Sequence, residues 1–447
     1  MLVLRFKSKI KSIVMLLPKE ERDSIIRLIK REVVPAIGCT EPIAVALCTS
    51  RAAELLGSLP ERIEVLLSAN ILKNAMGVGI PGTGMTGLPI AIALGASVGK
   101  SEYGLEVLKD VTPEDVAGGK QYISEGRIGI KLKEGIKEKL YIEVKVTDSK
   151  GLESCAVIAG GHSSFVFESQ GGKVLLDRRG SLSGGSCGSG EQDESGLSLR
   201  KVWDFATESP IEEIEFILEA ERLNKQAAEL SFKGEYGHKL GKMLNRELER
   251  KTMGDSIFSR ILSYTCAACD ARMAGAMIPV MSNSGSGNQG IAATLPVVVY
   301  AQECGATQQQ RIRALTLSHL TAIYIKQSLG RLSALCGCVV ASTGSSCGIT
   351  YLMGGGYEQV CWAVKNMIAN LTGMICDGAK PSCALKLTSG VSTAVLSAMM
   401  AMEGECVSSV EGIIDDDVDR SIHNLTKIGR EAMNETDRCV LDIMTGK

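Results

Sequence analysis

Aromatic residues, histidine and net charge are all scarce in this sequence. Phe, Trp and Tyr together make up 4% of the residues, only four histidines occur, and the formal net charge is −2. So few aromatic side chains exclude the base-stacking surfaces that single-stranded nucleic acids need. A near-neutral chain also lacks the basic patch that binds a polyanion. The sequence therefore predicts that no nucleic acid is a partner.

Uninterrupted hydrophobic runs are missing as well. A long uncharged stretch, residues 332–357, contains many Gly and Ser residues and is typical of packed helices and loops rather than of a membrane span. The apolar run at residues 13–17 is too short for a signal peptide, and no small-residue cleavage site follows it. We expect no membrane partner, and we expect residues 1–35 to form an N-terminal helical extension.

Cysteine is abundant, in a pattern that excludes a disulfide framework. The 447 residues contain 15 cysteines, an odd number at irregular spacing. Thiols of this kind are typical of a reducing compartment, where they stay free or bind metal. We therefore expect a cytoplasmic protein. The sequence leaves the oligomeric state open, with a homo-oligomer among the possible states.

The hydrophobic patterns predict an α+β protein. Helical spacing over residues 19–34 ends at Pro35, and a second helix has Pro42 in its first turn and Gly57 at its end. Alternating residues predict strands at 62–69 and 140–148, and Gly171 and Gly172 mark a hairpin turn. Residues 178–197 form a Gly- and Ser-rich loop, after which helical patterns dominate. We predict a mixed α/β domain at 36–200 and a mostly helical domain at 201–447, with a capping box at Ser209–Glu212.

Two glycine-rich segments are candidate loops of a site. In MGVGIPGTG, Gly77, Gly79 and Gly82 have the spacing of a dinucleotide fingerprint, but Pro81 removes an amide donor and no βαβ frame is present. A tight backbone loop beside the site is the favoured interpretation. The segment SNSGSGNQG, residues 282–290, precedes an apolar helix and suits either a substrate carboxylate or a polar turn that caps the helix.

Cysteines on turns are the other candidates. Cys336, Cys338, Cys376 and Cys383 lie among Gly and Pro residues that provide tight turns, and they suit either an iron–sulfur cluster or buried free thiols. Cys266-x-x-Cys269 suits a redox pair, but core packing on a helix is favoured. Lys326 precedes the cysteine loop on a predicted helix and fits a pyridoxal-phosphate lysine and a substrate-binding cation equally well. Cys39, in the rigid bend GCTEP, suits a small buried residue, a nucleophile or a metal ligand.

Taken together, these segments resemble the L-cysteine desulfidase group and the UPF0597 proteins, which are related to the α domain of iron–sulfur L-serine dehydratases. The resemblance is carried by VPAIGCTEP, NILKNAMGVGIPGTG, SNSGSGNQGI, HLTAIYIK, LCGCVVASTG and CDGAKPSCALK, in that order along residues 32–390. It implies a serine-dehydratase-α-like helical C-terminal domain, an oxygen-sensitive [4Fe-4S] cluster and no pyridoxal phosphate. It also implies α,β-elimination of L-cysteine to pyruvate, ammonia and sulfide. The alternatives are the same reaction on L-serine, or a redox or sensing module without turnover.

The resemblance also implies roles for individual residues. Cys336, Cys376 and Cys383 would hold the cluster, with Cys338 as the alternative to Cys336. Cys39 would be the base, or the resting ligand of the fourth iron, and the helix that starts near Pro42 would favour its thiolate. The substrate is a small amino acid. On the matching motifs, chemistry further suggests Ser284, Ser286 and Asn288 as ligands of its carboxylate, with Lys326 adding positive charge.

Overall fold

The computed structural model describes residues 16–136, 138–180, 196–330 and 333–446, and for residues 249 and 250 it describes the backbone alone. The fold is α+β, as predicted: a mixed sheet lies in the first part of the chain, and helices make up nearly all of the rest. The division into domains at residues 35 and 200 stays a prediction. The predicted loop at 178–197 lies, apart from its ends, outside the described residues.

The described strands are β1 (Pro35–Ile37), β2 (Arg62–Leu67), β3 (Ile128–Leu132), β4 (Tyr141–Thr147), β5 (Glu153–Ala159), β6 (Phe165–Gln170), β7 (Lys173–Asp177) and β8 (Pro279–Met281). The described α-helices before β8 are α1 (Lys19–Glu32), α2 (Thr40–Leu56), α3 (Ala69–Ala75), α4 (Leu88–Ser97), α5 (Pro113–Ser124), α6 (Leu199–Glu208), α7 (Ile211–Ile214), α8 (Leu218–Lys233), α9 (Leu240–Leu244), α10 (Glu247–Met253) and α11 (Ile257–Met273). Those after β8 are α12 (Gly287–Glu303), α13 (Gln308–Leu329), α14 (Gly337–Leu352), α15 (Tyr357–Leu371), α16 (Cys383–Met402), α17 (Val418–Lys427) and α18 (Asn434–Thr445).

Six strands form one mixed sheet in the order β3-β2-β4-β5-β6-β7. Strands β2 and β3 are parallel, and the other neighbours are antiparallel. The alternating residues Ile142, Val144 and Val146 of β4 are fully buried in one core with α2 and α4. These two helices approach closely, because a side chain at Gly95 would lie only 2.5 Å from the Ala46 carbonyl. The buried face of the sheet therefore packs against α2 in a close-packed apolar core.

A second core is built from helices. Ile25, Leu28 and Ile29 of α1 are buried in the same core as residues of α13 and α14. A side chain at Gly344 would overlap the Ser318 carbonyl, so α13 and α14 pack backbone against backbone at that point. Among the described helices, α16 is long and apolar enough to cross a membrane, but half of its apolar window is buried inside the protein, as in a core helix.

A two-stranded connection joins the two parts of the chain. Strand β1 pairs antiparallel with β8, with Pro35 opposite Met281 and Ile37 opposite Pro279. Both strands are three residues long and show no alternation, so the sequence patterns did not predict them. This pairing fixes the GCTEP bend, which directly follows β1, against the helical part of the chain.

The predicted capping box at Ser209–Glu212 is wrong. The backbone amide of Ser209 donates to the Phe205 carbonyl, so Ser209 ends α6 rather than starting a helix. Its hydroxyl has no hydrogen-bond partner in the structure. The next helix, α7, covers only Ile211–Ile214 and begins without a side-chain cap. The local motif was outweighed by the preceding helix, which had not been predicted.

Candidate active site

Two cysteine loops lie side by side in the helical part of the chain. An isolated antiparallel bridge joins Leu335 to Ile375. The Cys336 amide donates to the Met374 carbonyl at 2.9 Å, and the Cys376 amide donates to the Ala334 carbonyl at 2.7 Å. The structure thus brings together two of the predicted cluster ligands, although 40 residues separate them in the sequence.

A rigid turn connects Cys376 to Cys383, the first residue of α16. Gly378 has a φ of +89°, and a side chain there would overlap the Lys73 carbonyl, so only glycine fits. The Lys380 ammonium group donates to the carbonyls of Asp377 and Gly378. The Cys383 amide completes the turn with a 2.9 Å hydrogen bond to the Lys380 carbonyl. The third predicted ligand is therefore held on the same loop as the second.

The thiols of these loops share one electrostatic environment. A hydrogen bond with Cys338 lowers the pKa of Cys336 below its ordinary value, although burial opposes this. Burial raises the pKa of Cys376 and of Cys383, and the charge of Cys336 raises both further. The same hydrogen bond, together with burial, raises the pKa of Cys338. Of the two thiols at the start of α14, Cys336 is therefore the one that carries negative charge more readily.

Cys39 lies in the same buried cluster of side chains as Cys336 and Cys338, and Cys376 and Cys383 pack against that cluster. Cys39 immediately precedes α2, and only 3% of its surface is exposed. Its thiol donates to Glu41 Oε2 at 2.9 Å. The other carboxylate oxygen of Glu41 accepts a hydrogen bond from Asn74 at 3.3 Å. The sequence analysis had not assigned a role to Glu41, although it lies two residues after Cys39 in the motif.

Burial is the main influence on the pKa of Cys39. Burial and the negative charge of Glu41 raise the pKa of the Cys39 thiol well above its ordinary value, and Arg272 lowers it to a smaller extent. The helix that starts beside it was expected to favour the thiolate. Burial acts against that effect, because the thiol has almost no contact with water.

The two predicted serines of the 282–290 loop shape the loop itself. Ser284 has a φ of +48°, its hydroxyl donates to Asn283 at 2.8 Å, and its amide donates to the Glu32 carbonyl. Ser286 caps α12 by accepting a hydrogen bond from the Gln289 amide at 3.5 Å. Both interactions stabilise the turn. That these serines bind a substrate stays a prediction.

Asn288 faces a charged residue that sequence analysis had missed. Its Oδ1 accepts hydrogen bonds from Arg272 Nη1 at 3.0 Å and from the Cys269 thiol at 3.6 Å. Arg272 is only 4% exposed, and its Nε has no hydrogen-bond partner. Gln289, also buried, lies against Gly337 beside Cys336, and its Oε1 likewise has no partner. The sequence signal that could have identified Arg272 is its place as the one arginine among the small residues of TCAACDAR.

Lys326 is buried near the cysteine loops. It lies on α13 and is 6% exposed. Burial lowers the pKa of its ammonium group to about 8, while the charges of Cys376, Cys336 and Glu41 act in the opposite direction. Lys326 is therefore within electrostatic range of both the cysteine loops and the Cys39–Glu41 pair. Its position suits a cation that adds positive charge to this region.

The other candidate motifs are structural. The Gly79 amide donates to the Met273 carbonyl, and a side chain at Gly79 would overlap the backbone of Ala274. The MGVGIPGTG segment is thus a tight loop packed on the end of α11, as the favoured interpretation stated. Cys266 and Cys269 are fully buried on α11, where Cys266 contacts Thr388 at 3.0 Å. They too belong to the core, as the favoured interpretation of that pair stated.

Comparison with known proteins gives the family. The family model described as "Serine dehydratase alpha chain" matches residues 102–442. A UPF0597 protein of Bacteroides fragilis is 70% identical over 430 residues, which cover 96% of this chain and 99% of the relative. The chain belongs to the UPF0597 proteins of the serine dehydratase α-chain family. Further members are a UPF0597 protein of Bacteroides thetaiotaomicron, 71% identical over 96% of this chain and 99% of the relative, and one of Photobacterium profundum, 45% identical over 95% and 99%.

Membership of this family makes a lyase the expected class of enzyme and relates the chain to iron–sulfur serine dehydratases. In the parts of the chain that the structure describes, no three Cys, His, Asp or Glu side chains are arranged to hold a single metal ion. A cube of four irons makes a different demand, because each thiolate binds its own iron and the sulfurs then stand about 6–7 Å apart. Cys336, Cys376 and Cys383 provide the soft sulfur donors that such a cluster needs. Their donor chemistry and common burial fit the cluster, while the sulfur–sulfur distances stay a prediction.

Proposed function

We propose that this UPF0597 protein is an iron–sulfur lyase that acts without pyridoxal phosphate. It would convert L-cysteine to pyruvate, ammonia and sulfide by α,β-elimination. The observation that carries the proposal is that Cys376 and Cys383 pack against the buried cluster of side chains that contains Cys39 and Cys336, with the loops of Cys336 and Cys376 paired through their backbones. Family membership supports the lyase class, and the assembly of these thiols from distant parts of the sequence supports cluster chemistry rather than simple core packing.

Three residues would hold the cluster in this proposal: Cys336, Cys376 and Cys383. When bound, a [4Fe-4S] cluster with one iron free of protein thiolate supplies a Lewis acid for the β-substituent of the substrate. Cys336 is preferred to Cys338, because it is the Cys336 backbone amide that bonds to the Met374 carbonyl and so pairs this residue with the loop of Cys376. The turn at Gly378 would keep Cys376 and Cys383 in position whether or not the cluster is bound.

Cys39 and Glu41 form the proposed proton-transfer pair. Glu41 Oε2 lies 2.9 Å from the Cys39 sulfur and would take the thiol proton. The Cys39 sulfur would then remove the α-proton of the substrate as the bond to the β-substituent breaks. The aminoacrylate released would tautomerise to an imine, and water would hydrolyse this to pyruvate and ammonia. Asn74 holds the second oxygen of Glu41 and so fixes the carboxylate beside the thiol.

Ser284, Ser286 and Asn288 remain the proposed binding residues for the substrate carboxylate, and Lys326 the proposed additional cation. Of the three, Asn288 has the strongest support, since it is buried and contacts both Arg272 and Cys269. Ser286 would donate its hydroxyl, since the Ser284 hydroxyl and the backbone amides of both serines already donate within the protein. Because free thiols are abundant, with 14 of them among the described residues, we place the protein in the reducing cytoplasm.

L-Serine is the second candidate substrate. The family model that matches the chain is named for serine dehydratase, and elimination of water follows the same course as elimination of sulfide. Sulfur binds more readily to soft iron, which favours L-cysteine, but oxygen also binds to a positively charged cluster. A redox or sensing module is the alternative from another class, and it would bind iron without releasing pyruvate.

Anaerobic purification tests the proposal. Iron and acid-labile sulfide would be measured first, and pyruvate would then be followed with L-cysteine, L-serine and L-threonine. We expect cluster-loaded protein to release pyruvate fastest from L-cysteine. Cys376→Ala should lose both iron and activity. Cys361→Ala is the matched control, because Cys361 is a half-buried thiol that packs against the other helical core. A loaded protein that releases no pyruvate from any of the three amino acids would contradict the proposal.

A further inference from the structure

A buried arginine in the same region as Cys39 has no anionic partner among the residues that the structure describes. Arg272, in the last turn of α11, is 4% exposed, and its Nε is buried without a hydrogen bond. Among the described residues, no carboxylate forms an ion pair with it within 4.0 Å. A buried charge that is left unpaired destabilises a protein strongly. An anion from outside the chain that supplied the opposite charge would remove this cost.

Another buried arginine shows how this protein pairs such a group for stability. Arg22 is 7% exposed, and its Nε and Nη2 donate to the two oxygens of Glu213 at 2.8 and 2.9 Å. Its Nη1 donates to the Leu17 carbonyl. Every part of that guanidinium group is therefore engaged. The guanidinium of Arg272 has one hydrogen bond from Nη1, to Asn288, and the buried Nε has none.

The nearby carboxylates accept hydrogen bonds from other groups, although Oδ1 of Asp270 has no partner. Asp270, two residues before Arg272, accepts a hydrogen bond from the Gly241 amide at 3.0 Å. Glu41 accepts hydrogen bonds from Cys39 and Asn74. The chain instead leaves room for the arginine, because a side chain at Gly287 would overlap its Nε. Gln289, whose Oε1 also has no partner, lies on the neighbouring turn of α12.

We propose that Arg272 binds the α-carboxylate of the substrate, with Asn288 orienting the guanidinium group. This inference rests on the proposed function, and it names a specificity-determining residue that the sequence motifs did not. A planar guanidinium matches a carboxylate with two parallel hydrogen bonds. Arg272 also lies close enough to Cys39 to lower the pKa of its thiol. A carboxylate held by Arg272 would thus stand near the sulfur that removes the neighbouring α-proton.

Binding of a substrate analogue that cannot react gives a readout separate from turnover. L-Alanine has no β-leaving group, and L-alaninamide lacks the carboxylate. We expect the cluster-loaded protein to bind L-alanine more tightly than L-alaninamide by calorimetry. Arg272→Met should weaken L-alanine binding by roughly 30- to 5,000-fold, the range for removing one partner of a buried hydrogen-bonded charge pair. It should leave L-alaninamide binding almost unchanged. In turnover, the KM of the amino acid should rise with a smaller change in kcat.

Stability separates a binding role from a structural one. Replacing an unpaired buried charge by methionine should keep or raise the unfolding midpoint of the protein. Arg22→Met is the matched control, because it breaks a buried ion pair, and it should lower the midpoint while L-alanine binding stays unchanged. Arg272→Lys keeps the charge but not the planar fork, and we expect it to bind L-alanine about tenfold more weakly than the wild type. If Arg272→Met fails to fold, Arg272→Lys decides the question.

The inference and the proposed function fail in different ways. If loaded protein binds L-alanine through Arg272 but releases no pyruvate, the lyase proposal is wrong and the assignment of Arg272 stands. If the wild-type enzyme turns over but Arg272→Met keeps the wild-type KM and L-alanine affinity, the assignment of Arg272 is wrong and the lyase proposal stands. The same holds for Arg272→Lys if that is the variant that folds. An unfolding midpoint that falls as far in Arg272→Met as in Arg22→Met, with unchanged binding, would also overturn the assignment. So would a loaded wild-type protein that does not prefer L-alanine to its amide.

Discussion

The sheet core and the cysteine-rich region differ in whether their buried polar groups have hydrogen-bond partners. Glu143 on β4 is 6% exposed, and it accepts hydrogen bonds from Lys133 and Tyr141 at 2.7 Å each. Glu168 on β6 forms a two-point pair with Arg51. Around Cys39, in contrast, atoms of Arg272 and Gln289 are buried without partners.

The difference separates stability from function. Buried polar groups in proteins are nearly always hydrogen-bonded, and an exception requires an explanation. In the sheet the partners are present, so the charges add to a well-packed core. In the cysteine-rich region Arg272 and Gln289 keep unpartnered atoms, and on our proposal an anionic substrate would supply the partner of Arg272. Substitutions in the two regions should therefore have opposite effects on stability and on chemistry.

The largest expected effect sharpens the assignment at the start of α14. Cys336→Ala should lose nearly all iron and all pyruvate formation, because it removes one of three thiolate ligands. Cys338→Ala should keep the cluster, since it is Cys336 whose backbone amide pairs with the loop of Cys376. Iron and sulfide analysis after anaerobic reconstitution measures both variants. The opposite pattern would move the ligand assignment by two residues.

Cys39→Ala should leave the fold and most of the iron in place and still abolish most of the activity. The side chain is small and buried, so alanine creates only a small cavity. Loss of a general base typically lowers the rate by roughly 10²- to 10⁴-fold. Single-turnover pyruvate release from iron-loaded protein measures the effect. Near-normal pyruvate release would mean that Cys39 has a structural role. The cysteine-rich region would then not differ from the sheet core at this residue.

Ile142→Ala should have the reverse effect. Ile142 is fully buried in the sheet core beside α2, and removing such a side chain typically lowers the free energy of unfolding by about 2–5 kcal/mol. Iron content and KM should not change, because the residue lies outside the cysteine-rich cluster. Leu175→Ala, at a site that is 47% exposed on β7, is the control and should change stability by less than about 0.5 kcal/mol. Loss of iron in Ile142→Ala would show that the regions are not independent.

The sequence predicted the elements that local patterns define. Gly57 ends α2 with a φ of +78°, as its position predicted, and the hairpin turn at Gly171 and Gly172 joins β6 to β7. The alternation in β4 correctly gave the buried face of the sheet. Each of these features depends on a few neighbouring residues, so their physical causes are visible in a short segment.

Long-range features were not predictable in this way. The pairing of β1 with β8 joins residues more than 240 positions apart, and neither strand carries a pattern. The unpaired state of Arg272 depends on where Glu41, Asp270 and Asn288 lie in space. A motif can name the residues of a site, but only the fold shows which buried charges lack partners.

The smallest expected effect concerns Asp270, a buried carboxylate that has a hydrogen-bond partner on only one of its two oxygens. It is fully buried, Oδ1 has no partner, and Oδ2 accepts from the Gly241 amide. Burial raises its pKa to about 6, with backbone hydrogen bonds opposing. Because the folded pKa exceeds the ordinary value of 3.8, its contribution to stability is complete below about pH 4 and is lost as the pH rises through 6. Asp270→Asn does not titrate at this position.

The free energy of unfolding of the wild type, relative to Asp270→Asn, should therefore fall by at most about 3 kcal/mol between pH 4 and pH 7. Urea unfolding of the two proteins, matched in metal content, measures this difference, and the other titrating groups cancel. A difference that stays constant with pH would mean that water reaches the carboxylate. A difference that rises with pH would mean that a cation pairs with the Asp270 carboxylate. Asp270 would then resemble the buried, ion-paired carboxylates of the sheet.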